Sequence, residues 1–290
     1  MQKQNTQTLG NTQTLSGAVT TLYCICDDFL KAIAWRDDDQ ARMSTAQVMT
    51  VALAAAALFH GNQEASRRFL SEHGYIPNML SKSRFNRRLH RIPEEVWRLL
   101  MRVMAQASKL CDPDQVCLVD SCPVPVCDNI RICRCRLYPP RRYENLFRSY
   151  SASKRRYYYG LKLHLIVSST GQPMEALLSP ASMADIEGLR QMDLDLPAGA
   201  RIMADAAYTD YVFEDNLQEF DEVTLLAQRR YNSTRPHPAY QAYLCDVYRK
   251  RIETCFSTIT EWFGRRLHAV TARGFELKAY LATVAYAILA

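Results

Sequence analysis

The order of segments after Gln115 constrains this chain more than any other feature. Gln115–Asp120 is a short β-prone run that ends in an acid, and Tyr157–Ser168 alternates with Leu161, Leu163 and Leu165 on one face. Gly171 makes a turn and Met174–Leu178 returns as a hairpin partner. Then come a helix at Asp185–Met192, a buried strand at Ala200–Asp205, a helix at Tyr211–Phe220, a strand at Val223–Ala227 and a long helix at Leu244–Phe263, with Phe275–Leu289 closing the chain. This β, ββ, α, β, α, β, α order predicts an α/β fold, a mixed sheet with helices on its faces. Between the first two strands, Pro123, Pro125, Pro139 and Pro140 predict an irregular stretch over 122–153.

The preceding sequence reads differently. Val48, Val51, Leu53, Leu58 and Phe59 lie among alanines, and Val96, Leu99, Leu100 and Val103 follow at helical spacing. Ser44 is a candidate cap, and Pro93-Glu94-Glu95 resembles a helix start. The expected organisation is a disordered Gln/Thr-rich tail over 1–20, a small all-α domain over 21–110 and an α/β domain over 111–290 with a basic insertion at 122–156.

Val51–Phe59 and Ala279–Ala290 are apolar but well short of the ~20 residues that span a bilayer. The first residues hold no apolar export core, so a cytoplasmic protein is expected, its ten cysteines as thiols. Cys122, Cys127, Cys133 and Cys135 lack the paired spacing of zinc knuckles. Neither GxxxxGK[ST] nor GxGxxG occurs, which leaves nucleotide-dependent chemistry without its usual signature. The chain stops at Ala290, directly after an apolar helix, where a few more polar residues are expected.

The formal charge of +6 matters less than its placement. Lys82, Arg84, Arg87, Arg88 and Arg91 share one predicted helix, a candidate helix-turn-helix reader or phosphate contact. Arg131, Arg134, Arg136, Arg141, Arg142, Arg148, Lys154, Arg155 and Arg156 stand against the single acid Glu144, interleaved with Tyr138, Tyr143, Phe147, Tyr150 and Tyr157-Tyr158-Tyr159. Cations set among aromatics suit a nucleic-acid backbone with bases available for stacking.

Three acids occupy places where chemistry is expected. Asp120 and Asp205 end apolar strands, where ligand sites of α/β sheets gather. Glu253 lies in the long helix beside Ile252 and Phe256, and is expected to border the sheet; its bland alternative is a pair with Arg249 one turn earlier. Close carboxylates repel and take up protons unless a cation neutralises them, and oxygen-only ligation suits Mg²⁺ or Mn²⁺. Two such ions can hold the attacking and leaving oxygens of phosphoryl transfer. His164 on a strand face is either a site residue or a packed core histidine, and Ser121 has no nucleophile elbow around it.

Several stretches resemble the DDE transposases of bacterial insertion sequences, more narrowly insertion-sequence family nine-eighty-two. They are Val119–Cys127, Tyr150–Gly160, Ala204–Tyr208, Tyr248–Thr254 and His268–Thr271. The resemblance implies an RNase H-like catalytic domain with Asp120, Asp205 and Glu253 as the metal-binding triad for two Mg²⁺ or Mn²⁺ ions. Related families carry a Tyr, Arg, Glu, Lys pattern around the last acid. Here Arg249 fills the Arg position, while the Tyr and Lys positions hold Asp246 and Thr260. The implied activity is hydrolysis at the element end followed by attack of the freed 3′-hydroxyl on target DNA. Double-stranded DNA is the implied partner, as terminal inverted repeats and target, and two ends imply a homodimer or larger assembly. The rival readings are a metal-dependent nuclease that joins nothing and a non-catalytic DNA binder from a decayed element.

Overall fold

A computed structural model of the chain describes residues 15–109, 115–143, 145–151, 155–263 and 267–289. Five helices come first: α1 (Leu15–Ala32), α2 (Thr45–Leu58), α3 (Gln63–Glu72), α4 (Lys82–Arg91) and α5 (Glu94–Lys109). Helix α1 begins inside the range expected as a disordered tail. Ser44 caps α2 through a capping box, with Gln47 N donating to Ser44 Oγ at 3.2 Å and Ser44 N donating to Gln47 Oε1 at 3.0 Å. The run Val51–Phe59 forms the later part of α2 and its C-cap, and α2 is apolar on nearly all sides and buried against α1, α3 and the last helix, α10 (Ala272–Leu289). Among the described residues no helix is long and apolar enough to cross a membrane.

Six strands form one sheet: β1 (Val116–Asp128), β2 (Arg148–Ser151), β3 (Arg156–Ser168), β4 (Pro173–Pro180), β5 (Arg201–Ala204) and β6 (Thr224–Ala227). β3 pairs antiparallel with β1, and with β2 and β4 in succession. β5 runs parallel to β1, and β6 parallel to β5. A single turn, α6 (Pro140–Tyr143), precedes β2, while α7 (Asp185–Arg190), α8 (Tyr211–Phe220) and α9 (Ala239–Trp262) alternate with the later strands. This is the RNase H-like mixed sheet with flanking helices.

Strand alternation sorts the core into two layers. Val119, Ile166, Ile202 and Leu225 pack with Leu189 of α7 and Leu217 of α8. Leu118, Leu165, Met203 and Leu226 point the other way, toward Ile252 and Phe256 of α9 and Val284 of α10, in the same cluster as Leu22, Leu53 and Trp97 of the first helices.

The expectation that the first strand ends at Asp120 is corrected. β1 continues to Asp128 through Pro123 and Pro125, and its ladder to β3 shifts register between Pro125 and Cys127. Parallel pairing with β5 is confined to Val116–Leu118, so the later part of β1 has one edge without a ladder to fill. Proline, which lacks an N–H, is tolerated on such an edge. The irregular stretch shrinks accordingly to the segment between β1 and β2.

Candidate active site

The last parallel pair of the β1–β5 ladder is Leu118 with Met203. Asp120 and Asp205 each lie two residues further along, hence on the same face, above the C-terminal end of the parallel ladder. Asp205 accepts a hydrogen bond from Ala207 N at 2.8 Å and caps the turn after β5. Asp120 accepts from Ser121 N at 2.7 Å. Burial pushes the Asp120 carboxyl up to about 7; the nearby charges of Asp205 and Asp185 raise it too, while the Ser121 N–H and the Arg249 guanidinium oppose them.

Helix α9 crosses over these strand ends. Cys245, Arg249 and Ile252 face a shallow depression that also holds Asp120 and Asp205. Arg249 Nη1 donates to Gln228 Oε1 at 3.3 Å, and Gln228 follows β6 as Asp205 follows β5. Asp246, at the Tyr position of the family pattern, accepts from Gln228 Nε2 at 2.6 Å.

Glu253 does not border the sheet as expected. Its side chain is 58% exposed and accepts from Arg249 Nε at 3.2 Å, the bland pairing. Ile252 takes the inward position, which turns its neighbour toward the helix flank. Among the described residues no three acids, histidines or cysteines stand close enough to share a metal ion. Asp120 and Asp205 are brought together, and Glu253 stands one Arg249 side chain away.

The donors present suit a hard cation. Two carboxylates converge, and burial with like charge holds one of them half-protonated near neutral pH, the condition a cation relieves. Burial raises the neighbouring Cys245 thiol, which donates toward Leu226 O at 3.5 Å and offers no thiolate. The nine described cysteines are free thiols.

Behind Asp120, on the opposite face of β1, lies a polar assembly that the sequence pattern does not single out. Ser121 Oγ donates to Asp185 Oδ1 at 2.6 Å, and Lys162 Nζ donates to the same oxygen at 3.0 Å and to Met183 O at 2.8 Å. The fully buried Tyr208 stands beside this assembly, and burial with the charges of Asp185, Asp120 and Asp205 raises its hydroxyl well above the usual range. A polar Lys162 and His164 in an otherwise apolar strand are the one sequence signal for this assembly. His164 itself is a core histidine: Nε2 meets Ser179 Oγ at 2.8 Å, and burial lowers its pKa to about 4.

The cations divide. Lys82, Arg84 and Arg87 are exposed on α4, as are Arg131, Arg141, Arg142, Arg155 and Arg156 around the approach to β2 and β3. Arg142 lies over the Tyr143 ring at 5.4 Å and Arg148 over Tyr157 at 4.9 Å. Arg88 departs from the expected surface role, since its Nη2 donates to Asp37 Oδ1 at 3.0 Å and to Met43 O at 3.1 Å. Lys154 lies outside the described residues.

No curated protein and no solved structure matches the chain. The family model of the transposase DDE domain matches residues 112–288, which takes in every strand, helices α6 to α9, nearly all of α10 and all three acids. With that match over more than half its length, the chain belongs to the DDE transposases, enzymes of insertion sequences that act on DNA with divalent metal ions.

Proposed function

We propose that Asp120, Asp205 and Glu253 form the metal-binding triad of this transposase, that the resident ions are two Mg²⁺ or Mn²⁺, and that its substrates are the terminal inverted repeats of its element and a target duplex. The observation that carries the reading is that Asp120, within β1 just past its parallel pairing with β5, and Asp205, just past the end of β5, border one depression that Arg249 also lines. The bound ions supply an activated water or 3′-hydroxyl and neutralise charge on the phosphate.

The chain's own residues do the rest. Asp120 and Asp205 present oxygen ligands from strands fixed by the sheet, so little reorganisation is needed there. Glu253 completes the set by rotating off Arg249, and the freed guanidinium then pairs with a phosphate, which it can hold bidentately. Arg131, Arg141, Arg142, Arg155 and Arg156, exposed between β1 and the start of β3, line the DNA approach, with Tyr150 and Tyr157 exposed for stacking; Lys154 takes the same role on the sequence pattern alone. The helical region over 21–110 contributes Lys82, Arg84 and Arg87, with Arg88 fixing their helix in place. Joining two element ends requires a dimer or larger assembly, acting at the nucleoid in a bacterial cytoplasm.

The test is strand transfer from a labelled, pre-cut terminal repeat with a free 3′-hydroxyl in Mg²⁺. A joined product is expected from the wild type and none from Asp120→Asn. Joining that survives Asp120→Asn removes the triad assignment.

A further inference from the structure

Helix α4 separates two clefts. At 3.6 residues per turn, Lys82, Asn86 and His90 line one side of it, and Arg84, Arg87, Arg88 and Arg91 the other, with Phe85 and Leu89 buried against the core. The arginine side borders a cleft of about 290 Å³ whose opposite wall is the segment joining α1 to α2, including Arg42. The Arg88 contacts to Asp37 and Met43 tie α4 to that wall and fix the cleft's width.

The remaining guanidiniums have little to hold. Arg42, Arg84 and Arg91 make no ion pair or side-chain hydrogen bond among the described residues, and Arg87 reaches only the Ser83 carbonyl at 3.4 Å. The one acid in the lining, Asp38, accepts from Gln40 N at 2.9 Å. Four exposed arginines around one concavity repel one another, and a polyanion lodged between them relieves that repulsion. The arrangement also differs from a helix that reads bases. Such a helix lies in the major groove with side chains projecting to base edges, whereas here Arg42 faces Arg84, Arg87 and Arg91 from a second wall.

We propose that the cleft between α4 and the α1–α2 segment grips the phosphodiester backbone of double-stranded DNA without reading its sequence, with Arg42 as the contact from the second wall. It rests on the reading above that this protein binds duplex DNA, and it assigns α4 to positioning rather than to recognition.

The test measures affinity of the full chain for a duplex carrying the terminal repeat and for a scrambled duplex, across a range of salt. Each phosphate contact contributes about 0.9 to the slope of log K against log salt. Arg42→Gln is expected to reduce that slope by about one on both duplexes, to weaken both equally, and to leave the thermal midpoint unchanged. Arg88→Gln is expected to lower the midpoint instead. An unchanged slope in Arg42→Gln, or a loss confined to the terminal repeat, overturns the proposal. Inorganic tripolyphosphate separates a small-anion site from a DNA groove: tight binding that Arg42→Gln abolishes while DNA binding stays intact also overturns it. Failure of the wild type to bind either duplex overturns the DNA-binding reading as a whole, whereas normal wild-type binding with an unaltered variant slope overturns the cleft alone.

Discussion

Arg249 and Glu253 are joined across one turn of α9, Nε to Oε1 at 3.2 Å, and the same guanidinium acts on the Asp120 carboxyl. One cation thus stands between the third acid and the pair formed by Asp120 and Asp205. The Arg249–Glu253 pairing keeps the Glu253 carboxylate on the exposed flank of the helix.

Glu253→Gln separates catalytic from structural importance. An exposed ion pair contributes about 0.2–1 kcal/mol, so the variant is expected to unfold within ~1 kcal/mol of the wild type. Strand transfer is expected to fall on the order of a hundredfold or more, the scale seen when one electrostatic contact to a reacting group is removed. Urea denaturation and the joining assay report the two effects independently. Wild-type joining by this variant leaves Arg249 as the only functional member of the pair.

What the sequence made legible follows from periodicity. The Leu161, Leu163 and Leu165 spacing exposed β3, short continuous apolar runs exposed β5 and β6, which are buried on both faces, and helical spacing exposed α8 and α9. The continuation of β1 past Asp120 was hidden by Pro123 and Pro125, which read as breakers unless one knows that β5 leaves that edge unpaired. Asp120 and Asp205 were visible as acids closing apolar runs. The orientation of Glu253 was not, since a helical residue beside an inward one can turn to either flank. Asp185 escaped notice because its partners, Ser121 and Lys162, come from strands far away in sequence.

Gly160 holds β1 and β3 at close approach. A Cβ there meets Val124 O at 2.4 Å and Val126 N at 2.7 Å, both backbone atoms that no rotamer change can move. Gly160→Ala is therefore expected to destabilise the fold by roughly 1–3 kcal/mol or more, as overpacking does. Gly74→Ala serves as the contrast. Its Cβ has open space, and only the left-handed backbone at φ +74° opposes it, a penalty of about 1 kcal/mol. Chemical denaturation should rank the two in that order.

The Lys162–Asp185 pair is largely enclosed, with side chains 14% and 24% exposed. Asp185→Ala leaves the Lys162 ammonium with only the Met183 carbonyl and takes the acceptor from Ser121. An expected loss of about 1–3 kcal/mol follows from unsatisfied polar groups of this kind. Adding Lys162→Met removes the stranded charge, so the double variant should lose less than the sum of the two single changes. Additive losses in the double-mutant cycle would show the two side chains to be uncoupled.

Asp120 predicts how stability depends on pH and metal. Its ordinary value of 3.8 applies to the unfolded chain, and the folded carboxyl titrates near 7. Between these values the native state holds a proton that the unfolded state has released, so its stability falls as pH rises through the window and is lowest once Asp120 is ionised above 7. Asp120→Asn carries no such charge. In EDTA its thermal midpoint should match the wild type near pH 4, exceed it progressively toward pH 7, and keep a constant lead above that. Mg²⁺ reverses the comparison, because a ligand that binds only the folded state raises the wild-type midpoint by mass action while the variant lacks an oxygen ligand. A Mg²⁺-dependent rise of equal size in both proteins would place the ion away from Asp120, and a pH-independent difference between them in EDTA would mean that its carboxyl is not held above its ordinary range.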